Sequence, residues 1–181
     1  MTRFVITQNY TTMNFELRPF QLSDLQSLVK HANNYNIAKN LSNKFPFPYT
    51  QNDGIAFINL ALSATPQEIF AIVVNGEVAG SIGVHPQADF YCKNAEMGYW
   101  IAEEYWGNGI VPEAIKLMVS YGFKTFNITR IFARTFDTNI KSQRVLEKTG
   151  FTLEAELKET FYKNGTVYDE MIYGIRKPIN L

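Results

Sequence analysis

The sequence holds a single cysteine, Cys92, and two histidines, His31 and His85. One thiol forbids an internal disulfide, and so few nitrogen and sulfur donors cannot furnish a structural zinc or iron centre. Charge of one sign is also missing: Lys and Arg total 17, Asp and Glu total 17, and no segment is strongly basic or acidic. That balance argues against a nucleic-acid partner, a membrane surface, or a strongly acidic or polycationic substrate. No run approaches the roughly 18 to 20 apolar residues that cross a bilayer, and the first fifteen residues lack the apolar core of a signal peptide, so a cytoplasmic protein is expected. Repeats, low-complexity tracts and Ser/Gly-rich linkers are absent too. What is present is 181 residues, 46% of them hydrophobic, which predicts one domain over 1–181 with its core at about 14–177.

Period and punctuation predict the elements. The first dozen residues read as a loose arm or short edge element, followed by a strand over 14–20 and a helix capped by Ser23 that runs to about His31. Pro46 and Pro48 force an extended segment, after which Thr50 caps a helix to about Ala64. Strands over 68–74 and 77–84 flank Asn75-Gly76, a hairpin signal. A strand over 95–101 leads through Gly107-Asn108-Gly109 into a helix whose Ile110, Ala114, Leu117, Met118 and Tyr121 share a face. A strand over 130–136, a helix over 139–149 and a hairpin of 152–162 with 166–175 complete the chain. Hairpins mixed with two crossover helices predict an α/β fold: a mixed, mostly antiparallel sheet with helices on both faces.

The segment 99–110 carries the strongest chemical signal. A strand passing through a glycine loop into a long helix aims unpaired amides and the positive end of the helix dipole at one point, which suits a phosphate or pyrophosphate. Pro112 in the first helical turn costs little, because its missing N–H has no partner there anyway. Alone, the loop is equally compatible with a plain strand-to-helix connection, since it lacks the Lys-Ser/Thr end of a P-loop and the third glycine of a dinucleotide fingerprint.

A second motif, Asn139-Ile140-Lys141-Ser142 continuing to Gly150-Phe151, turns the loop into part of an ordered set. With Leu17-Arg18-Pro19, Pro46-Phe47-Pro48-Tyr49-Thr50, Gly80-Ser81-Ile82-Gly83 and Glu96-Met97-Gly98-Tyr99-Trp100, the chain resembles the GCN5-related N-acetyltransferase (GNAT) superfamily. Within it the chain is similar to the branch of Rim-type ribosomal-protein N-terminal acetyltransferases. The resemblance implies that amides of Trp106, Gly107, Asn108, Gly109 and Ile110 hold the pyrophosphate of acetyl-coenzyme A. It implies that main-chain groups near Ile101 pair with the pantetheine arm, and that Asn139 and Ser142 meet that arm near its thioester. One residue departs from the pattern: Glu104 stands where the family usually has Gln or Arg, and its carboxylate is expected to point to solvent.

The implied reaction, attack of an amine on a thioester, has three needs. An alkyl amine with a pKa near ~10.4 is mostly protonated at neutral pH and needs a base. The tetrahedral oxyanion needs an N–H donor, for which the backbone near Ile101 is the candidate by resemblance. The departing thiolate, with a pKa near ~8.5, benefits from a proton donor. Glu96 is the candidate base, with a solvated strand-edge carboxylate as the alternative, and Ser142 the candidate acid, with helix capping as the alternative. Tyr99, Tyr162 and Tyr168 are other donors, His85 a possible cleft residue, and Arg144 and Lys148 candidates for the cofactor's 3′-phosphate or for a solvated helix face. The expected protein is therefore an acetyl-CoA-dependent N-acetyltransferase, monomeric or homodimeric, using no metal. Its acceptor is a small-molecule amine or a protein N-terminus, shaped in part by 46–49 and the last hairpin. The alternative is a non-catalytic acyl-CoA sensor.

Overall fold

The computed structural model describes residues 6–8 and 14–178, and the chain falls into two compact units. The first comprises residues up to 83 together with 99–114, and the second 84–98 with the residues from 115 onward.

In the first unit, β1 (Ile6–Gln8), β2 (Phe15–Arg18), β3 (Ile69–Val74) and β4 (Glu77–Pro86) pair antiparallel in that order. The helices are α1 (Leu25–Ala32), a single turn α2 (Tyr35–Ala38) and α3 (Gln51–Ser63). Thr50 caps α3 as expected and forms a capping box with Asp53. The cap expected at Ser23 is not used: Ser23 lies within a 3-10 turn (Leu22–Asp24), and Asp24 closes the start by accepting from the Gln21 amide at 2.8 Å. Asp24 also grips Arg18 with both oxygens, at 2.8 and 2.7 Å, a partner that a serine hydroxyl cannot match. The turn α2, which the sequence reading does not anticipate, starts at Asn34, whose side chain accepts from the Asn36 amide at 2.8 Å.

Burial of α1 and α3 residues against β3 assembles the core of this unit: Phe20, Leu28 and Ile58 gather with Ile69, Ala71, Val73 and Trp100. The end of the next strand lies hard against β4. The Ala102 amide donates to the Ala79 carbonyl at 2.7 Å, and a Cβ placed on Gly80 meets the Trp100 carbonyl oxygen and comes within 2.9 Å of the Ile101 Cα. Backbone cannot rotate aside as a side chain can, so Gly80→Ala is expected to destabilise the protein by about 1–3 kcal/mol. A lowered midpoint in thermal unfolding followed by circular dichroism checks this.

In the second unit the order is the first part of β5 (Asn94–Ile101, whose residues 94–98 belong here), β6 (Arg130–Phe136), β8 (Thr166–Arg176), β7 (Thr152–Lys163). The β5–β6 pair is parallel and the other pairs are antiparallel, so the sheet is mixed and mostly antiparallel, the class read from the sequence. The parallel register runs Asn94↔Arg130, Ala95↔Ile131, Glu96↔Phe132 and ends there, although β6 continues to Phe136. Helix α4 (Ile110–Thr125) brings Gly122 close enough to β6 that an added Cβ would lie 3.0 Å from Ile131 Cδ1. Helix α5 (Ile140–Lys148) packs on the same face, where the buried Tyr173 of β8 donates its hydroxyl to Glu147 at 3.2 Å. The opposite face of these strands carries Glu96, Phe132, Arg134 and Glu170, which alternation along β5, β6 and β8 places together.

Candidate active site

The glycine loop belongs to the first unit. Gly107 and Gly109 adopt φ of +80° and +77°, and no atom lies within 4 Å of a Cβ built on either. Glycine is therefore required by the backbone conformation rather than by crowding, and the space over the loop stays open to a ligand. The loop is pinned at both ends. Ile110, the first residue of α4, is buried, and Trp106 packs against the core cluster while its indole N–H donates to the Ile101 carbonyl at 3.0 Å. The Ile101 carbonyl retains a second lone pair for another donor. Sixteen residues of α4 follow, with their first amides unpaired within the helix and directed back at the loop.

Glu104 does not stand alone in solvent. It is 59% exposed, yet its Oε1 lies 3.3 Å from Nδ1 of His31, a buried side chain of α1 whose Nε2 is 3.6 Å from Oε2 of Glu77. The carboxylate that breaks the expected pattern is thus tied to α1. Glu103 beside it accepts from the side chains of Asn34 and Asn36 at 2.8 and 3.1 Å.

In the second unit, Glu96 is neither a free strand-edge carboxylate nor buried. It accepts from Arg134 Nε at 3.0 Å and from Nη2 at 2.9 Å. Hydrogen bonding to Glu96, then Coulombic attraction to Glu96 and Glu170, outweighs desolvation and raises the Arg134 pKa above its usual value. Arg134 Nη1 is 3.7 Å from Oε1 of Glu170, which is buried and accepts from the Thr160 hydroxyl at 3.1 Å.

The structure brings Asn139 and Ser142 together at the start of α5. Asn139 is the N-cap, its side-chain oxygen accepting from the Ser142 amide at 3.3 Å. Gln143 fastens the same turn by donating to the carbonyls of Phe136 and Asp137 at 3.1 and 2.8 Å.

The other candidates disperse. Tyr168 packs edge-on against Phe136 with centroids 5.1 Å apart, Tyr162 is exposed, and Arg144 and Lys148 lie on the solvent side of α5. Within 46–49, Tyr49 is core, its phenol pushed up to about 12 by burial, whereas Phe47 is half-exposed against Tyr35. Cys92 is exposed. Among the described residues no cluster of His, Cys, Asp and Glu fits a metal ion, and no helix is long and apolar enough to cross a membrane. Arg134 and Glu170 escape the sequence reading: alternation puts Arg130, Phe132 and Arg134 on one face of β6, but only the β5–β6 register shows that it is the face of Glu96.

Residues 14–152 match the acetyltransferase (GNAT) domain family. The chain belongs to that family. Among its GNAT relatives is the N-acetyltransferase YoaA of Bacillus subtilis (strain 168), 44% identical over 102 residues, a match spanning 56% of this chain and 57% of that protein. The spermidine N(1)-acetyltransferase of Escherichia coli (strain K12) is 28% identical over 156 residues, 83% of this chain and 79% of that protein. Among solved structures, the self-immunity acetyltransferase MccE in complex with acetyl-CoA and AMP superposes with a TM-score of 0.78 at 26% identity, covering 93% of this chain and 94% of MccE.

Proposed function

We propose that this GNAT protein is an acetyl-CoA-dependent N-acetyltransferase that moves an acetyl group directly to a primary amine in a ternary complex, with no covalent enzyme intermediate. The observation that carries the reading is the open loop with two left-handed glycines ahead of α4, a cradle of backbone N–H groups suited to a pyrophosphate. MccE, a relative in fold, carries acetyl-CoA, which supports the same cosubstrate here. When bound, acetyl-CoA supplies the activated thioester.

The chain's own groups supply the rest. Trp106, Gly107, Asn108, Gly109 and Ile110 hold the pyrophosphate through their amides, and the backbone at Ile101 meets the pantetheine arm in the manner of an added strand. Asn139 caps the first turn of α5, and Ser142 in that turn is the donor to the departing sulfur, its hydroxyl giving a hydrogen bond and regaining from water any proton it passes on. Glu96 takes the amine's proton, directly or through water. The E. coli relative is named for a polyamine acceptor; this chain's acceptor is a small amine or a protein N-terminus.

Incubation with acetyl-CoA and a panel of small amines and N-terminal peptides, followed by free thiol, tests the proposal. Release of CoA that depends on the amine is expected. Tight acetyl-CoA binding without release for any acceptor converts the reading to a sensor, and absence of binding overturns both.

A further inference from the structure

Glu96, Arg134 and Glu170 form a row across β5, β6 and β8 on the face that α4 and α5 of this unit leave uncovered. We propose that Arg134 is a positioning residue for Glu96, and that Glu170, secured by Thr160, holds Arg134 in that role. This rests on Glu96 being the proton acceptor.

The geometry is specific. Arg134 meets both oxygens of Glu96 through Nε and Nη2, the planar fork that fixes both the position and the plane of a carboxylate. The lone pairs turned away from the guanidinium remain to accept a proton. A third nitrogen, Nη1, faces Glu170, whose other oxygen is taken by Thr160. Glu170 is only 6% exposed, so its charge depends on Arg134 for compensation. Two carboxylates and one guanidinium leave the row with one net negative charge. It can attract an ammonium acceptor while the guanidinium keeps the two carboxylates from repelling each other.

Removal of the guanidinium leaves two carboxylates on one face with no cation between them, and the residual repulsion favours uptake of a proton by one of them. A protonated Glu96 cannot act as a base. Removal of the Glu170 charge has the opposite sign, because the Glu96–Arg134 pair is then undivided. A residue that merely braced the sheet would move neither.

The experiment is the pH dependence of kcat/KM for R134M, R134Q, R134K, E170Q and E96Q, with one acceptor throughout so that its own ionisation cancels. For R134M the acidic limb is expected to move up by about one pH unit. Its kcat at neutral pH is expected to fall about tenfold, with KM for acetyl-CoA within about twofold of wild type. R134Q matches methionine in length and adds a neutral hydrogen-bond donor without the charge, so it reproduces the shift should R134M fold poorly. R134K restores the limb in part, and E170Q leaves it unmoved or lowers it. A wild-type limb in R134Q beside a slow E96Q overturns the role of Arg134 and leaves the base standing. A fully active E96Q overturns both.

Discussion

Replacing Gly109 by valine is expected to reduce coenzyme A affinity at least about 100-fold, a loss of about 2.7 kcal/mol. Two effects combine. At φ of +77° an L residue is strained, by roughly 1–2 kcal/mol for a simple side chain and more for a β-branched one. The relief available to the loop, rotation of φ back to negative values, reorients its amides and so dismantles the proposed cradle. The γ-methyl groups also occupy the open space over the loop, where no protein atom lies within 4 Å of the Cβ position. The same argument holds for Gly107→Val, and Gly109→Ala is expected to lose about tenfold, because it brings strain with little bulk. Calorimetric titration with CoA reads the effect. Because the side chain meets no packed neighbour, only the backbone strain reaches the fold, and the thermal midpoint should fall by about 4–8 °C, what roughly 2 kcal/mol produces in a domain of this size. Wild-type affinity in the valine variant would remove the cradle from the binding site.

Glu96→Gln is the second large effect. Its kcat is expected to fall by about 10²–10⁴, the usual contribution of a positioned general base, with CoA affinity unchanged. The amide retains the shape of the carboxylate and one acceptor oxygen for Arg134, so the packing of β5 on β6 survives while proton uptake does not. The deficit should deepen as pH falls below the acceptor's pKa and narrow above it, where the amine is already free. Single-turnover rates across pH 6 to 9, combined with CoA binding, separate this outcome from a damaged fold. Full kcat at every pH would assign proton removal to another group.

The parts of the fold written in local sequence were legible. The strand over 130–136 is found at those residues because its alternation is undisturbed, and Thr50 caps α3 because Asp53 stands three residues on to complete the box. Ser23 misleads because helix-capping rules weigh only near neighbours, and Asp24 gains from Arg18, a partner on another element. The turn α2 is too short for hydrophobic periodicity to register. The bulges in β7 between Leu153 and Ala155 and between Leu157 and Phe161 depend on its partner β8 rather than on any local signal. In the site, the left-handed glycines follow from their spacing, whereas the surroundings of Glu96 do not. Its partner Arg134 lies 38 residues away, and only the β5–β6 register brings the two side chains to one face.

That register has a consequence for how such a chain can change over time. The parting of β5 from β6 after Glu96 and Phe132 is a property of two backbones, and replacing the side chains along them does not close it. Any ligand recognised by main-chain groups is inherited with the backbone in the same way, whatever side chain stands at a position such as Glu104. Glu96 and Arg134 meet through their side chains, and a contact of that kind carries no such protection. On the proposed function, the cosubstrate side is then set by backbone geometry and the acceptor side by replaceable side chains, so the two can vary independently.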